Sequence, residues 1–254
     1  MSKMGSKYIL ETKGLNVGYG PIHVIYDLEF RAPDGEVTII VGPNGVGKTT
    51  LLKAIMGLAT VYSGEVHFEG RNITRNAPYE RTKAGIGYMP QTGNIFSNLR
   101  VDENLKMAAY TQSDPSVIQD KLEFVFSLFP VLKNFLGRQA GTLSGGERQM
   151  LAEGMVLMRD PKIMMVDEPT AGLMPKLVND VMRQLKQMAD ETGLPVVLVE
   201  QRARRALAVG DYAYMMRGGR FTFEGSAPDL LNHPLLNEMY LGAVEVHDLD
   251  TVKE

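Results

Sequence analysis

Three short apolar runs stand out along the chain, at residues 37–41, 163–166 and 196–199. They read Val-Thr-Ile-Ile-Val, Ile-Met-Met-Val and Val-Val-Leu-Val. None of them alternates with polar residues, which is typical of strands that are buried on both faces. Longer helical patterns separate the runs. The pattern therefore predicts an α/β fold in which helices cover both faces of a mainly parallel sheet.

Two other parts of the chain have different patterns. Val66 and Phe68 alternate with polar neighbours between two glycines, which predicts a half-exposed antiparallel strand, and the first 34 residues are similar. From residue 98 to residue 159 the pattern is helical throughout, and Asp114-Pro115 supplies an N-cap and a first helical position. We expect a helical insertion between two strands of the sheet.

A chain of 254 residues is long enough for one large domain with such an insertion. We predict a single domain over 1–254 with four parts. They are an antiparallel β subdomain (1–34 and 60–75), a core (35–59, 76–97 and 160–210), a helical subdomain (98–159), and C-terminal strands and helices (211–254).

Composition and charge exclude or disfavour several classes of function. The net charge of −3 disfavours a general nucleic-acid binder, and the absence of cysteine excludes disulfides, thiolate metal sites and cysteine nucleophiles. No secretory signal is visible at the start, and no apolar stretch approaches the ~20 residues that span a bilayer. We expect any role in a membrane process to be performed from a soluble face.

Residues 42–49 fit the pattern G-x-x-x-x-G-K-[ST] between a predicted strand and a predicted helix. Glycines let backbone N–H groups face phosphate oxygens, and a helix N-terminus adds partial positive charge. Lys48 would hold the β and γ phosphates, and Thr49 would ligate Mg²⁺. A glycine-rich turn that fits by chance is the alternative, which the strand-loop-helix context disfavours. The expected nucleotide-binding residues here are Gly42, Pro43, Asn44, Gly45, Gly47, Lys48, Thr49 and Thr50.

Two acidic residues close the second apolar run. Asp167 comes at the carboxyl end of the predicted strand, where ligands of open α/β sheets bind, and suits a contact to Mg²⁺. Glu168 points elsewhere and can orient or deprotonate a water molecule in line with the γ-phosphate. Acidic residues also occur in ordinary turns, so this pair indicates a nucleotide site only in combination with the phosphate loop.

Residues 143–147 read Leu-Ser-Gly-Gly-Glu. Ser144 and Glu147 form the capping-box pattern that opens a helix, which we predict over 148–158. The simplest interpretation is a helix start and nothing more. Gly145 and Gly146, however, place bare backbone at a helix N-terminus, where an anion can approach closely. A second phosphate-binding surface is therefore expected far along the chain from Lys48.

Together these motifs resemble the ATP-binding subunits of ABC transporters. In that family a phosphate loop, a glutamine after a short strand, Leu-Ser-Gly-Gly-Glu and a strand ending in Asp-Glu-Pro occur in this order, and the match covers nearly the whole chain. The resemblance implies a P-loop NTPase (RecA-like) core with an antiparallel β side subdomain and an inserted helical subdomain. It also implies the cofactors ATP and Mg²⁺. Two subunits would enclose two ATP molecules head to tail, each roofed by the other's residues 143–147.

The resemblance also implies individual roles. Tyr19 matches an aromatic residue that stacks on adenine, although a strand tyrosine is the simpler interpretation of that residue alone. Gln91 matches the glutamine that touches Mg²⁺ or the attacking water. Ser144 and Gly146, with Gly145 between them, would contact the γ-phosphate held by the partner subunit. The implied catalytic residues are Glu168, Lys48, Gln91 and Gln201, and the implied metal-contacting residues are Thr49, Gln91 and Asp167.

Two positions depart from the usual family pattern. Gln201 stands where a histidine is usual after the third apolar run, and glutamine cannot titrate. Met174 stands where many relatives have aspartate. Residues 198–201, 172–175, 94–96 and 240–242 look like those of the second ATPase of branched-chain (hydrophobic) amino acid importers and their amide or urea relatives. Less expected are Glu153 and Gly154, because a mid-helix glycine costs up to ~1 kcal/mol against alanine.

The resemblance implies an ATPase subunit of an importer, peripheral on the cytoplasmic face of the inner (plasma) membrane. Its partners would be transmembrane permease subunits, a second ATP-binding subunit (a sister ATPase or a second copy) and, indirectly, a solute-binding protein. No nucleic acid is expected. The alternatives are an amide or urea importer, a soluble ABC-type switch acting on nucleic acid or ribosomes, and an unrelated P-loop kinase or GTPase. No Asn-Lys-x-Asp guanine motif is present, which disfavours the GTPase.

Overall fold

The structure is a computed structural model that describes residues 7–234 and 236. Its strands are β1 (Tyr8–Tyr19), β2 (Ile22–Pro33), β3 (Val37–Val41), β4 (Thr60–Phe68), β5 (Arg71–Asn72), β6 (Ile86–Met89), β7 (Ile163–Asp167), β8 (Val196–Glu200), β9 (Tyr212–Arg217) and β10 (Arg220–Ser226). Its α-helices are α1 (Lys48–Ile55), α2 (Pro78–Ala84), α3 (Val101–Ala108), α4 (Pro115–Leu128), α5 (Gly145–Leu157), α6 (Pro175–Thr192), α7 (Ala203–Leu207) and α8 (Ala227–Leu231). The segment 240–242, which contributed to the resemblance, lies outside the described residues.

The larger sheet has six strands in the order β10-β9-β3-β8-β7-β6. The five strands from β9 to β6 are parallel, and β10 pairs antiparallel to β9 at one edge. The three apolar runs form β3, β7 and β8, and every residue of these strands is buried. The predicted α/β class with a mainly parallel sheet is therefore confirmed.

The smaller sheet is antiparallel, with the order β2-β1-β4-β5. Val66 pairs with Thr12 and Phe68 pairs with Leu10, so the alternating segment lies beside the first strand. A hydrophobic cluster fills the space between the two sheets and includes Leu51 and Ile55 of α1. The helix that follows the phosphate loop therefore packs against apolar residues of both sheets.

The segment 98–159 contains α3, α4, α5 and two 3₁₀ helices, Pro130–Phe135 and Ala140–Thr142. Helix α5 begins at Gly145, three residues before the predicted start, because the two glycines form its first turn behind the Ser144 cap. Gly154 lies where α4 packs against α5. A Cβ atom added there would lie 2.9 Å from Val125 Cγ1 and 3.3 Å from Leu105 Cδ2. Close helix packing therefore accounts for this glycine.

The strands after residue 211 extend the core sheet. Ile39 of β3 pairs with Ala213 of β9, so β9 lies directly beside the strand that leads into the phosphate loop. The predicted boundary at residue 211 assigns these strands to a separate C-terminal part. Their pairing with β3 and with each other shows that they belong to the core sheet. Among the residues that the structure describes, no helix combines the length and the apolarity needed to cross a bilayer.

Candidate nucleotide-binding site

The site lies at one edge of the six-stranded sheet. Strands β3, β6, β7 and β8 are parallel, so their carboxyl ends lie along the same edge, the usual place for ligands in α/β sheets. The phosphate loop follows β3, Gln91 follows β6, Asp167 and Glu168 close β7, and Gln201 follows β8. The topology thus brings together residues that lie far apart in the sequence.

The phosphate loop turns directly into α1. Gly47, the N-cap of α1, has φ 112°, a left-handed backbone conformation that is strained for residues other than glycine. Because glycine has no side chain, no cap atom accepts a hydrogen bond from the first N–H groups of α1. Such N–H groups, together with the positive end of the helix dipole, form an anion site. The geometry of this loop therefore suits a phosphate group.

The Lys48 side chain lies almost fully buried beneath this loop, at 4% exposure. Its Nζ atom donates to the carbonyl oxygens of Gly42, at 2.8 Å, and Pro43, at 3.0 Å. The same ammonium lies 3.2 Å from Glu168 Oε1. Lys48 thus connects the phosphate loop to the end of β7.

Asp167 is the second polar group of this edge. Thr49 Oγ1 donates to Asp167 Oδ1 at 2.9 Å, and the Tyr88 hydroxyl donates to Asp167 Oδ2 at 3.3 Å. Burial raises the pKa of the Asp167 carboxyl, while the hydrogen bond from Thr49 opposes the shift. A hydroxyl and one carboxylate are the hard oxygen donors that Mg²⁺ takes from proteins when phosphates supply the rest. Thr49 and Asp167 therefore fit a magnesium ion.

Glu168 and Gln91 meet at the same place. Gln91 Nε2 donates to Glu168 Oε2 at 2.9 Å, so the two oxygens of Glu168 contact Gln91 and Lys48 respectively. Glu168 has φ 46°, which is uncommon outside glycine, and its backbone N–H donates to Val199 O of β8 at 2.9 Å. A carboxylate so held can orient a water molecule or accept its proton.

The remaining predicted residues lie at different parts of the molecule. Tyr19 ends β1 with its side chain 40% exposed, which leaves a face for stacking. Ser144 caps α5: its Oγ accepts a hydrogen bond from Glu147 N at 3.4 Å, and Glu147 Oε2 accepts one from Ser144 N at 2.7 Å. Within the described part of the chain, no hydrogen bond joins Ser144, Gly145 or Gly146 to the phosphate loop. The capping box that the sequence predicts is thus present.

Two residues of this edge were missed by the sequence analysis. Tyr88 and Glu200 both bond to groups of the site, Tyr88 to Asp167 and Glu200 to the Thr170 hydroxyl and N–H. Burial and the charge of Asp167 raise the pKa of Tyr88, so its hydroxyl remains a neutral donor. Both residues lie within apolar strand patterns, and nothing in a single sequence marks them.

Comparison with known proteins agrees with this geometry. The model of the ABC transporter family matches residues 25–171, more than half of the chain. The chain belongs to the ABC transporter family. It is 46% identical to the probable branched-chain amino acid transport ATP-binding protein LivF of Archaeoglobus fulgidus, over 93% of this chain and 100% of that protein. It is 36% identical to the high-affinity branched-chain amino acid transport ATP-binding protein BraG of Pseudomonas aeruginosa, over 88% of this chain and 95% of that one.

A solved structure gives the same fold. MJ1267, an ATP-binding cassette of an ABC transporter in its ADP conformation, superimposes with a TM-score of 0.83 at 28% identity. The match covers 93% of this chain and 100% of that one. The ABC ATPase fold implied by the motifs is therefore confirmed, and the protein is an ATPase of this family.

Proposed function

We propose that this ABC ATPase hydrolyses ATP in a site completed by a second ATP-binding subunit, and that it drives an importer of branched-chain or other hydrophobic amino acids. The observation that carries the proposal is the cluster of Lys48, Glu168 and Gln91 beside the phosphate loop. It brings together a cation that can bind phosphate, a carboxylate that can orient water, and an amide that donates a hydrogen bond to that carboxylate.

In the proposed reaction each residue acts from its observed place. Lys48 and the first N–H groups of α1 hold the β and γ phosphates and stabilise the charge that develops during transfer. Glu168 orients the attacking water and accepts its proton, while Gln91 keeps the carboxylate in place. Thr49 and Asp167, with Gln91, would hold Mg²⁺, which neutralises phosphate charge when bound. Tyr19 would stack on the adenine ring.

A second subunit is proposed because, in the described part of the chain, Ser144, Gly145 and Gly146 make no hydrogen bond to the phosphate loop. Ser144 lies exposed at the N-terminus of α5, with Gly145 and Gly146 forming the first turn. The glycines leave the helix terminus bare, which suits the γ-phosphate of an ATP molecule bound by another subunit. Two subunits arranged head to tail would then complete two sites.

The proposed permease contact lies on the helical segment. A cavity of about 290 Å³ is lined by residues on both sides of Gln91, including Pro90 and Ile95, and by Val156 of α5. Large apolar side chains are exposed on this segment, among them Met107 (47%) and Tyr110 (69%), and Phe96 (51%) is exposed just before it. Exposed apolar surface of this kind marks protein contacts. We place the subunit on the cytoplasmic face of the membrane, with the solute-binding protein acting through the permease.

The cargo is proposed from the relatives, two of which carry branched-chain amino acid transport in their names. The test is to reconstitute the chain with its permease subunits and solute-binding protein in membrane vesicles. Leucine-loaded binding protein should stimulate ATP hydrolysis, and Lys48→Ala should abolish nucleotide binding. Lys83→Ala, which removes an exposed lysine of α2, is the matched control and should behave as the wild type.

Other results would point to the alternatives. Stimulation by an amide or urea, with none by leucine, would indicate a related importer. A salt-sensitive complex with nucleic acid and no association with membrane subunits would indicate a soluble switch. Hydrolysis that survives Lys48→Ala would contradict the proposed site itself.

A further inference from the structure

Glu200 is a buried carboxylate that connects two loops of the site. It ends β8, and only 2% of its surface is exposed. Within the described residues its two carboxylate oxygens accept hydrogen bonds from two separate segments. A carboxylate buried in this way is held by its donors, and it holds them in turn.

One oxygen fixes the loop that follows Glu168. Glu200 Oε1 accepts from the Thr170 hydroxyl at 2.7 Å and from the Thr170 backbone N–H at 3.2 Å. Thr170 is 1% exposed and lies two residues beyond Glu168. The same loop continues through the exposed residues Ala171 and Gly172 to Met174.

The other oxygen fixes the segment that carries Gln201. Glu200 Oε2 accepts from the backbone N–H groups of Gln201, at 3.1 Å, and Arg202, at 3.3 Å. The Arg202 guanidinium then reaches back across the gap, where its Nη2 donates to Leu173 O at 3.4 Å. The two loops are therefore connected twice, once through Glu200 and once through Arg202.

We infer that Glu200 is a positioning residue, which couples the placement of loop 169–174 to that of Gln201. Displacement of either loop breaks hydrogen bonds to a carboxylate whose residue is only 2% exposed, so the two loops move together. The inference rests on the proposed function, because Glu168 and Gln201 flank the γ-phosphate only if ATP binds as proposed. As a consequence, a displacement of the loop that follows Glu168 also displaces the loop that contains Gln201.

Two substitutions separate the halves of this connection. Glu200→Gln keeps one carbonyl-type acceptor but places an NH₂ group, which only donates, either against the two donors of Thr170 or against the N–H groups of Gln201 and Arg202. Thr170→Val removes a single hydroxyl and keeps the side-chain shape, whereas Thr170→Ser restores the hydroxyl. Thr38→Val is the matched control, because Thr38 is equally buried and its Oγ1 has no hydrogen-bond partner among the residues that the structure describes.

The experiment measures kcat and KM for Mg·ATP hydrolysis together with direct ATP binding, on the full chain and each variant. Thr170→Val should lower kcat about 10-fold and Glu200→Gln about 100-fold, the range found when a supporting hydrogen bond of a site is lost. ATP affinity should stay within about two-fold of the wild type, because the phosphate loop is untouched. Thr170→Ser should recover most of kcat, and Thr38→Val should not change it.

Two outcomes of this experiment would overturn the positioning role of Glu200. Equal kcat values for wild type, Thr170→Val and Thr38→Val would overturn it, whether or not Glu200→Gln folds. A parallel loss of ATP affinity and thermal stability, without rescue by Thr170→Ser, would assign these residues a structural role only and would also overturn it. Failure of the proposed function gives a different result, namely a wild-type chain that does not hydrolyse ATP.

Discussion

The Lys48 ammonium already has two hydrogen-bond acceptors and one ion-pair partner in the protein. The group has three N–H donors, and the carbonyl oxygens of Gly42 and Pro43 and the carboxylate of Glu168 accept from them or lie within ion-pair distance. Binding of a γ-phosphate must therefore displace at least one of these partners. We expect Glu168 to be displaced most readily, because among the described residues its ion pair with Lys48 is its only contact with the phosphate loop. Nucleotide binding would thus free this carboxylate to meet the water.

Gln201 gives a prediction at the same scale. Glutamine does not titrate, so ATP hydrolysis by the wild type should show no pH limb near ~6.5 that arises from this position. Gln201→His should introduce such a limb in the profile of kcat against pH. The measurement is steady-state hydrolysis between pH 5.5 and 8. Identical profiles for the two proteins would mean that the residue does not contact the reacting groups.

Pattern reasoning could find some residues of the site and not others. Lys48, Thr49, Asp167 and Glu168 belong to segments whose local spacing has chemical meaning. Glu200 bonds to a residue 30 positions away and Tyr88 to one 79 positions away. Such partners become neighbours only through the order of the strands, so no local pattern contains them.

At the scale of the element, helix α5 contains an unusual acidic residue. Glu153 is 1% exposed, and neither of its carboxylate oxygens has a hydrogen-bond partner among the described residues. Burial raises the pKa of the Glu153 carboxyl from 4.5 to about 8. The carboxyl is therefore protonated in the folded protein at neutral pH and ionised in the unfolded chain.

This shift predicts how the free energy of unfolding depends on pH. The folded pKa is raised, so the folded state is favoured fully below about pH 4.5 and loses that advantage as the pH rises through about 8. The slope reaches up to ~1.4 kcal/mol per pH unit between these values. Glu153→Gln, which does not titrate, should reduce the difference in unfolding free energy between pH 5 and pH 8 by a few kcal/mol.

Urea denaturation at the two pH values measures this difference. Glu191→Gln, on the exposed end of α6, is the matched control and should leave the pH dependence as in the wild type. The same pH dependence in Glu153→Gln as in the wild type would show that Glu153 is ionised in the folded protein, contrary to our account.

Elements were predictable where one local signal dominated. The unbroken apolar runs marked β3, β7 and β8 because a strand covered on both faces needs no polar positions. The predicted start of α5, at residue 148, is three residues late. Glycine is a poor helix former, but the Ser144 cap and the Glu147 side chain stabilise a first turn that contains two glycines. The packing against α4 that requires Gly154 is a tertiary contact, which helix propensity does not include.

At the scale of the whole molecule, sheet order assembles the site. The sequence indicates parallel strands, but not that β3 lies between β9 and β8 or that β7 lies beside β6. This order places the phosphate loop, Asp167, Glu168 and Gln201 along one edge. Residues 144–146 lie at a separate helix terminus with no bond to the phosphate loop in the described part of the chain. In the proposed mechanism a second subunit therefore completes each site.

The most direct test of this requirement is a structure of the Glu168→Gln variant in its membrane complex with Mg·ATP. Loss of the proton acceptor should trap ATP between two ATP-binding subunits. We predict that Lys48 of this chain contacts a γ-phosphate whose opposite side is covered by the Leu-Ser-Gly-Gly-Glu segment, or its equivalent, of the second ATP-binding subunit. Ser144 and Gly146 of this chain should cover the other ATP. A nucleotide enclosed within one subunit, with residues 143–147 exposed to solvent, would contradict the account.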